Sequence, residues 1–523
     1  MVQLVSKYSM LGAYLMAESN REGRLPGCDV PYVPKEVKEE ERIPRLRPIN
    51  RNQMILHPVD INNLVPEDHE VRAIWELTGS LDLSCYYEGV DSIEGKAGAP
   101  AFDPRLLVSL WVYSYSKGIS SSREIARLSE YDPAYQWLTG IRPVNYHTLA
   151  DFRSTHSDAL RQLFVEVLAL LTSEGLVTLE RVMHDGTRIK ASAGRDTFRG
   201  EKALREHLAC AETQVKAMEE ACEEEIAPRI KKVQERSARE RKERLSHALD
   251  ELDKIKSQKR STQTRVSTTD PECRIMGQSD GGYAPSYNVQ ISTDAKEKVI
   301  VGVGISQSPA DQTLLSSALD EVEKTAGIPA QVVVDAGFTT RDAIITAEER
   351  GIDLIGSFPE ASAGKITMLT RAGISKEFYP EHFRFDHEKN IYVCPEGNVL
   401  AYEGTSVERG KSLFRYRGTH CKECPSKPSC CPSARRGRGI TRTENDPRVD
   451  AFLKKMETDE AKAVYRQRGE VAEFPNAWIK ERFRLRQFRL RGLLKVEMEA
   501  LWACLTYNIK IWMRLCGTPR LVA

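Results

Sequence analysis

The spacing of apolar residues changes several times along the chain, and each change predicts a different element. Residues 20–58 are rich in Pro, Arg and Glu and lack apolar periodicity, so residues 1–60 are expected to form an extended arm or linker. From about residue 66 the spacing becomes helical. In PAFDPRLLVSLWVYSYSKG, Asp103 stands as a helix cap before Pro104, and apolar residues recur at helical intervals up to Gly118. Further helices are predicted at Ser120–Glu130, Pro133–Leu138 and Thr148–Leu171, which makes residues 61–172 a helical domain.

The pattern then switches to alternation. LVTLERVMHDGTRIKASAG reads as a strand that ends in Asp185, with Gly186 and Gly194 as turn residues. Residues 199–264 are dense in Glu, Lys, Arg and Ala, and predict a helical insertion of two long polar helices broken near Pro228. SYNVQISTD and KVIVGVGIS predict two strands joined by a turn at Asp294–Lys296, followed by a helix from Asp311 to Thr325. QVVVDAGF is a short, continuously apolar strand ending in Asp335, the form of a strand buried on both faces. A helix and the strand IDLIGSF complete a mixed sheet flanked by helices, an α/β core drawn from residues 173–198 and 265–357. Residues 358–458 interrupt that core with Gly, Pro, Cys and Arg. Helices return over Asp459–Glu481 and Leu494–Met513, so residues 459–523 complete it.

Composition adds three constraints. A chain of 523 residues exceeds what one hydrophobic core usually supports. Its net charge of +1 conceals segregation: Glu219–Glu225 is acidic, while residues 411–442 hold nine Lys and Arg against Glu423 alone. Such a basic cluster suits phosphate contact, and FRLRQFRLRGLLK adds arginines alternating with Phe and Leu that would pack inward. No stretch has the length of a membrane span and the N-terminus lacks a secretory pattern, so a cytoplasmic location is expected. Five of the twelve cysteines crowd into Cys394–Cys431, which favours metal binding or reduced thiols over disulfides. Cys394, Cys421, Cys424 and Cys430 are candidate thiolate ligands for a tetrahedral structural zinc, with unligated cysteines as the alternative.

The candidate chemistry is acidic. Asp185 and Asp335 are both placed at the carboxyl ends of core strands, where open α/β sheets gather ligand-binding groups. In YRQRGEVAEFPNAWIK, Arg466, Glu473 and Lys480 recur at seven-residue intervals and would share a helix face, although Pro475 points to a helix beginning there. Three carboxylates gathered together suit two hard divalent ions, Mg2+ or Mn2+, that stabilise the entering and leaving oxygens of a phosphoryl displacement. Tyr465, Arg466, Arg468 and Lys480 would hold the scissile DNA.

Taken together, FDPRLLVSLWVYSYSKGISSSREIARLSEYDPAYQWLTG, HTLADFR, HDGTRIKASAG, DPECRIM, GYAPSYNVQISTD, VVVDAGF and YRQRGEVAEF resemble one family. It is that of bacterial insertion-sequence transposases with an RNase H-like DDE domain, of the IS eleven-eighty-two type with an InsH-type N-terminal domain. The resemblance spans most of residues 60–515 and implies that Asp185, Asp335 and Glu473 are the DDE triad. The related signature spaces Tyr, Arg, Glu and Lys by two, three and six residues. Tyr465 to Arg468 and Glu473 to Lys480 fit, while Arg468 to Glu473 is one residue too long and leaves Glu470 as a competing carboxylate.

The function the resemblance implies is binding of an element's terminal inverted repeats, metal-dependent cleavage there, and transfer of the 3′-OH ends to target DNA. In the helical domain Thr148, Arg153 and His156 would be available to a recognition helix, and Arg435, Arg436 and Arg438 would contact phosphates elsewhere. Double-stranded DNA is the expected partner, bound by a homodimer or higher assembly, in bacterial cytoplasm beside the nucleoid. A nuclease of the same fold that does not join strands, and a non-catalytic DNA-binding regulator, are the alternatives.

Overall fold

In the computed structural model, residues 58–88, 90, 92, 100–220, 228–258, 264–358, 368–408 and 411–517 are described, so most of the expected arm lies outside the described residues. Ahead of the first strand, the helices of more than one turn among the described residues are α1 (Glu70–Ser80), α2 (Pro104–Ser116), α3 (Ser122–Leu128), α4 (Pro133–Thr139), α5 (Tyr146–Thr155) and α6 (Ser157–Ser173). Their starts follow from local chemistry. Asp103, Ser121, Asp132 and Asn145 each accept a backbone N–H of the first turn, and Pro104 and Pro133 occupy positions where a missing N–H costs nothing. Helix α2 is buried from Leu107 through Tyr115, as expected of a segment without charges. The single helix expected over Thr148–Leu171 is two, because His156 leaves helical geometry and stacks on Phe152 and Tyr86 at 5.1 and 5.4 Å.

The α/β core is a six-stranded mixed sheet. Its strands are β1 (Arg181–Lys190), β2 (Arg274–Gly277), β3 (Tyr283–Asp294), β4 (Ile300–Ser306), β5 (Gln331–Val334) and β6 (Asp353–Gly356). β1 lies between β3, its antiparallel partner, and β5, its parallel one. β6 continues the parallel side, while β2 and β4 both pair with β3. Gly186 does not end β1 as the alternation suggested: the strand continues to Lys190, paired throughout with Ser286–Asp294. Between β1 and β2 runs a helical hairpin, α7 (Glu201–Glu220) and α8 (Pro228–Gln258), closed by Leu204, Ala211, Leu245, Ala248 and Leu252. Helices α9 (Leu315–Thr325) and α10 (Arg341–Glu349) connect the later strands.

Alternation along the strands sorts side chains onto two faces. Val182, Val332 and Leu354 join the main core, whereas Met183, Val333 and Ile355 join a second cluster with Ala461, Val471 and Ala472. The sheet is therefore covered on both faces.

The Cys-rich segment is more regular than its sequence implies. It forms a five-stranded antiparallel sheet of β7 (Arg384–Asp386), β8 (Ile391–Val393), β9 (Val399–Glu408), β10 (Lys411–Gly418) and β11 (Gly439–Asn445). Its own small core centres on Phe378, Phe383, Leu400, Tyr416 and Ile440. Four helices end the described chain: α11 (Pro447–Met456), α12 (Asp459–Arg466), α13 (Arg468–Glu481) and α14 (Leu493–Leu515). Pro475 lies inside α13 rather than at its start, with its buried ring packed and Asn476 Nδ2 bonded to the Ala472 carbonyl at 3.3 Å. The break at Gln467 also puts Arg466 on a different helix from Glu473 and Lys480.

Helix α14 joins the parts. It is buried from Val496 to Ile511 with few interruptions and packs on α2, α5, α6 and α13 as well as on β4. Asn508 satisfies both backbone groups of Ile300 at the start of β4, at 2.9 and 2.8 Å. Glu499 is fully buried and accepts the backbone N–H groups of Arg489 and Leu490 at 3.0 and 2.9 Å, with Arg153 Nη1 at 3.9 Å. Burial pushes the Glu499 carboxyl up, and Arg153 opposes that shift. Val59–Ala523 accordingly forms one unit.

Arg153→Met should cost about 3–5 kcal/mol of stability, because it strands a buried acid. Adding Glu499→Gln should recover most of the loss in equilibrium denaturation. A double variant as unstable as the single one would show that the pair matters through packing alone.

Candidate functional site

The register of β1 on β5 pairs Arg181, Val182 and Met183 with Gln331, Val332 and Val333. Two residues past Met183 stands Asp185, and two past Val333 stands Asp335. On parallel strands about 4.8 Å apart, equal steps keep the two side chains level. Both follow residues of the second cluster, so alternation sends Asp185 toward α12 and α13. The Asp185 carboxylate is half-buried. It accepts the Gly186 N–H at 2.9 Å on Oδ1 and Asn476 Nδ2 of α13 at 3.1 Å on Oδ2. Asp335 turns back onto its own loop, with Oδ1 accepting the N–H groups of Gly337 and Phe338 at 2.8 and 3.2 Å.

Glu473, on α13, is 67% exposed and is linked to Asp185 through Arg468. Arg468, five residues earlier, lies between the acids, with Nη1 at 3.9 Å from Asp185 Oδ1 and Nη2 at 4.0 Å from Glu473 Oε1. Glu470 points elsewhere: it is 80% exposed and bonded to Lys298 Nζ at 3.0 Å. Burial pushes the Asp185 carboxyl up to about 6, Arg468 opposes this, and the charges of Asp335 and Glu473 add to it. Burial pushes the Lys480 ammonium down, and Asp185 opposes that shift.

Hard carboxylate oxygens in mutual repulsion, one of them with a raised proton affinity, make a donor set suited to a divalent cation. The set is not tightly drawn in. Among the described residues, the one trio of His, Cys, Asp or Glu whose ligand atoms all lie within 4.8 Å of one another is His247, Glu251 and Glu272. That trio is a candidate acidic metal site, but Glu251 is already ion-paired with Arg274 and Lys254. The carboxylates around Arg468 are spaced more widely, as like charges bridged by a guanidinium would be.

His184, beside Asp185, has both ring nitrogens engaged, Nδ1 with Ser292 Oγ and Nε2 with Gln290 Oε1, each at 2.9 Å. Burial pushes it down to about 4, which keeps it neutral. Asn476 was not legible as a site residue, since an Asn within a helix carries no motif.

The predicted DNA contacts divide. Arg435, Arg436 and Arg466 are exposed, and Thr148 is partly exposed on α5. Tyr465 is half-buried and packs on the second cluster. Arg153 is not available to DNA: it is 4% exposed, bonded to the Ser120 carbonyl at 2.7 Å and seated over the Trp111 ring. Arg438 is likewise buried, donating to the carbonyls of Phe378 and Cys430 at 3.0 and 3.3 Å. In FRLRQFRLRGLLK, Phe483, Leu485 and Phe488 are buried while Arg484, Arg486, Arg489 and Arg491 are exposed. This strip is tied to the end of β1 by Phe488 N to Lys190 O at 2.8 Å and Lys190 N to Arg486 O at 3.2 Å.

The ten described cysteines are free, and Cys394, Cys421, Cys424, Cys430 and Cys431 line one small cavity. The Asn398 and Arg438 backbone N–H groups point at Cys394 Sγ and Cys421 Sγ, each at 3.3 Å. Burial pushes Cys430 up to about 12 and Cys431 in the same direction.

A mixed α/β fold of this kind is consistent with an RNase H-like DDE domain, and family comparison supports that class: residues 393–513 match the transposase DDE domain, which implies a nucleic-acid-processing enzyme. Residues 59–155 match a second transposase domain, DUF772, and the two matches together support a DDE transposase of the bacterial insertion-sequence kind. The DDE match includes Glu473 and Lys480 and begins downstream of Asp335. No curated protein matches the chain. Among the described residues, no helix is long and apolar enough to cross a membrane.

The raised Asp185 gives a signed pH dependence. Its folded-state value of about 6 lies above the unfolded value of 3.8, so folding takes up a proton between them. Stability contributed by the protonated form is present at low pH and is lost as pH rises through that window. Asp185→Asn should therefore raise the thermal midpoint at pH 8, by the equivalent of about 2 kcal/mol, with the gap closing below pH 4. A variant less stable than the parent at every pH would contradict this electrostatic account.

Proposed function

We propose that this chain binds the terminal inverted repeats of an insertion sequence as double-stranded DNA, cuts at their ends and joins the freed 3′ ends to target DNA. The observation that carries this reading is the level placement of Asp185 and Asp335 on adjacent parallel strands, with Glu473 sharing Arg468 with Asp185. The family implies a divalent metal, and Asp185, Asp335 and Glu473 are the residues that would hold two Mg2+ or Mn2+ ions. Such ions would supply charge stabilisation for the oxygens entering and leaving phosphorus.

The chain's own groups have separable roles. Asn476 orients the Asp185 carboxylate, and Arg468 offsets the charge of the acids until a phosphate arrives. Lys480, lowered by burial yet close to Asp185, suits a phosphate oxygen. Arg466, Arg435 and Arg436 and the exposed arginines after α13 extend a basic surface for the duplex, and Thr148 lies on the helix proposed to meet it in the N-terminal part. In the first step water adds to phosphorus and the bond from phosphorus to the 3′ oxygen breaks, leaving a 3′-OH and a 5′-phosphate. In the second, that 3′-OH adds to a target phosphorus and displaces a target 3′ oxygen, with its proton passing to solvent. Pairing two ends requires a dimer or a higher assembly, acting in the bacterial cytoplasm beside the nucleoid. The IS eleven-eighty-two type is part of the same proposal.

The cysteine cavity is proposed to hold a structural zinc through Cys394, Cys421, Cys424 and Cys430, which line it together.

Paired terminal-repeat DNA with Mg2+ tests the main reading. Cleavage with a joined product is expected, and cleavage without joining would instead mark a nuclease. Asp335→Asn should lose both reactions by at least about 1,000-fold while still binding the repeat, and retained cleavage would remove Asp335 from the site. Purified protein should carry one zinc per chain after mild chelation, and metal-free protein of unchanged stability would rule the zinc out.

A further inference from the structure

The face of the sheet opposite Asp185 carries an unusual polar stack level with that residue. His184 pairs across β1 and β3 with Ser292, Gly186 with Gln290, and Arg188 with Asn288. Alternation sets all six on one face, where apolar side chains would normally fill the core. Asn288 is 1% exposed and Gln290 5%, yet Asn288 Oδ1 and Gln290 Nε2 have no hydrogen-bond partner. Leaving buried polar atoms unpaired costs free energy, so a retained pair calls for an explanation.

Both orphaned atoms border one point, the position where a Gly186 side chain would begin. Gln290 Nε2 lies 2.7 Å from it, Asn288 Oδ1 3.1 Å and Asp311 Oδ1 3.1 Å. Asp311, just ahead of α9, is held by Asn288 Nδ2 at 2.7 Å and faces Arg188 Nη2 at 3.7 Å. Its other side meets the second aspartate. A side chain on Gly337 would lie 3.0 Å from Asp335 Oδ1 and, in ordinary contact, 3.7 Å from Asp311 Oδ2, so the two carboxylates flank one loop position. Gly186, inside a strand, thus keeps a polar notch clear between β1, β3 and the start of α9. A glycine inside a strand commonly marks such a close approach.

We propose that Asp311 is a fourth carboxylate of the divalent-cation site, binding the cation together with Asp335. The inference rests on the reading of Asp335 as a metal ligand. It adds a residue from a segment that belongs to none of the DDE positions, and it explains Gly186 and Asn288 together, as residues that admit Asp311 and orient it. The surrounding donors suit such a role, because Asn288 fixes one carboxylate oxygen and leaves the other facing Asp335 and Arg188.

Binding of Mn2+ to the full chain without DNA, followed by electron paramagnetic resonance, tests it. Asp311→Asn should weaken Mn2+ binding at least about tenfold, and Asp311→Glu should recover part of it. Asp311→Asn protein that is folded by circular dichroism and binds Mn2+ like the parent would overturn the proposal. A second measurement does not depend on the variant folding: the unmodified chain loaded with Fe2+ and exposed to ascorbate and peroxide should be cut near residues 185, 335 and 311. Excess Mg2+ should suppress all three cuts. Cuts near 185 and 335 without one near 311 would sink this inference alone, whereas no cut at any of them would remove the underlying reading as well.

Discussion

The parallel pairing of β1 with β5 is the constraint on which the rest depends. It brings two acids level at one sheet edge, and the fold must then tolerate their repulsion in a half-buried place. Arg468 supplies a fixed positive charge between Asp185 and Glu473, Asn476 holds one carboxylate oxygen, and loop N–H groups hold Asp335. Even so, Asp185 keeps a raised proton affinity. The edge is stabilised less than its surroundings, a common signature of a region shaped for something other than stability.

The surroundings make up the difference through burial. Apolar residues on alternating strand positions feed two cores, one on each face of the sheet, and α14 adds a nearly continuous buried surface. Polar groups inside that surface are placed where they satisfy backbone: Asn508 completes Ile300, and Glu499 takes up two N–H groups of the arginine-rich loop. Through that loop, the strip that ends β1 is anchored to the same helix.

Much of this was legible in the sequence. Continuous apolar runs such as QVVV marked the buried strands, and the Asp and Ser caps before apolar periods marked the helices. Where the reading failed, tertiary packing overrode a local rule. Gly186 looked like a turn but continues a strand, at a point where a side chain would collide with Gln290 and crowd Asn288 and Asp311. Pro475 looked like a helix start but sits within α13, where its ring is buried. The antiparallel sheet of the Cys-rich segment was hidden because arginines alternate there with aromatic residues. In β10, Phe414 and Tyr416 alternate with Arg415 and Arg417, a pattern that also reads as a basic loop. Arg153 and Arg438 show the opposite error: charge alone suggested a surface, while the interior used both guanidinium groups to satisfy carbonyls. For the candidate site, the three acids carried motif context, but Asn476 and Asp311 acquire meaning only from what folding brings beside them.

The reach of α14 has an evolutionary consequence. Because one helix closes the core of the N-terminal helices and also the edge of β4, the part proposed to read DNA ends and the part proposed to cut them are not separable cassettes. A lineage could not acquire new end specificity by exchanging the first helices for foreign ones without repacking the last helix as well. Divergence of such elements should proceed by substitution on exposed faces, with the two ends of the chain inherited together.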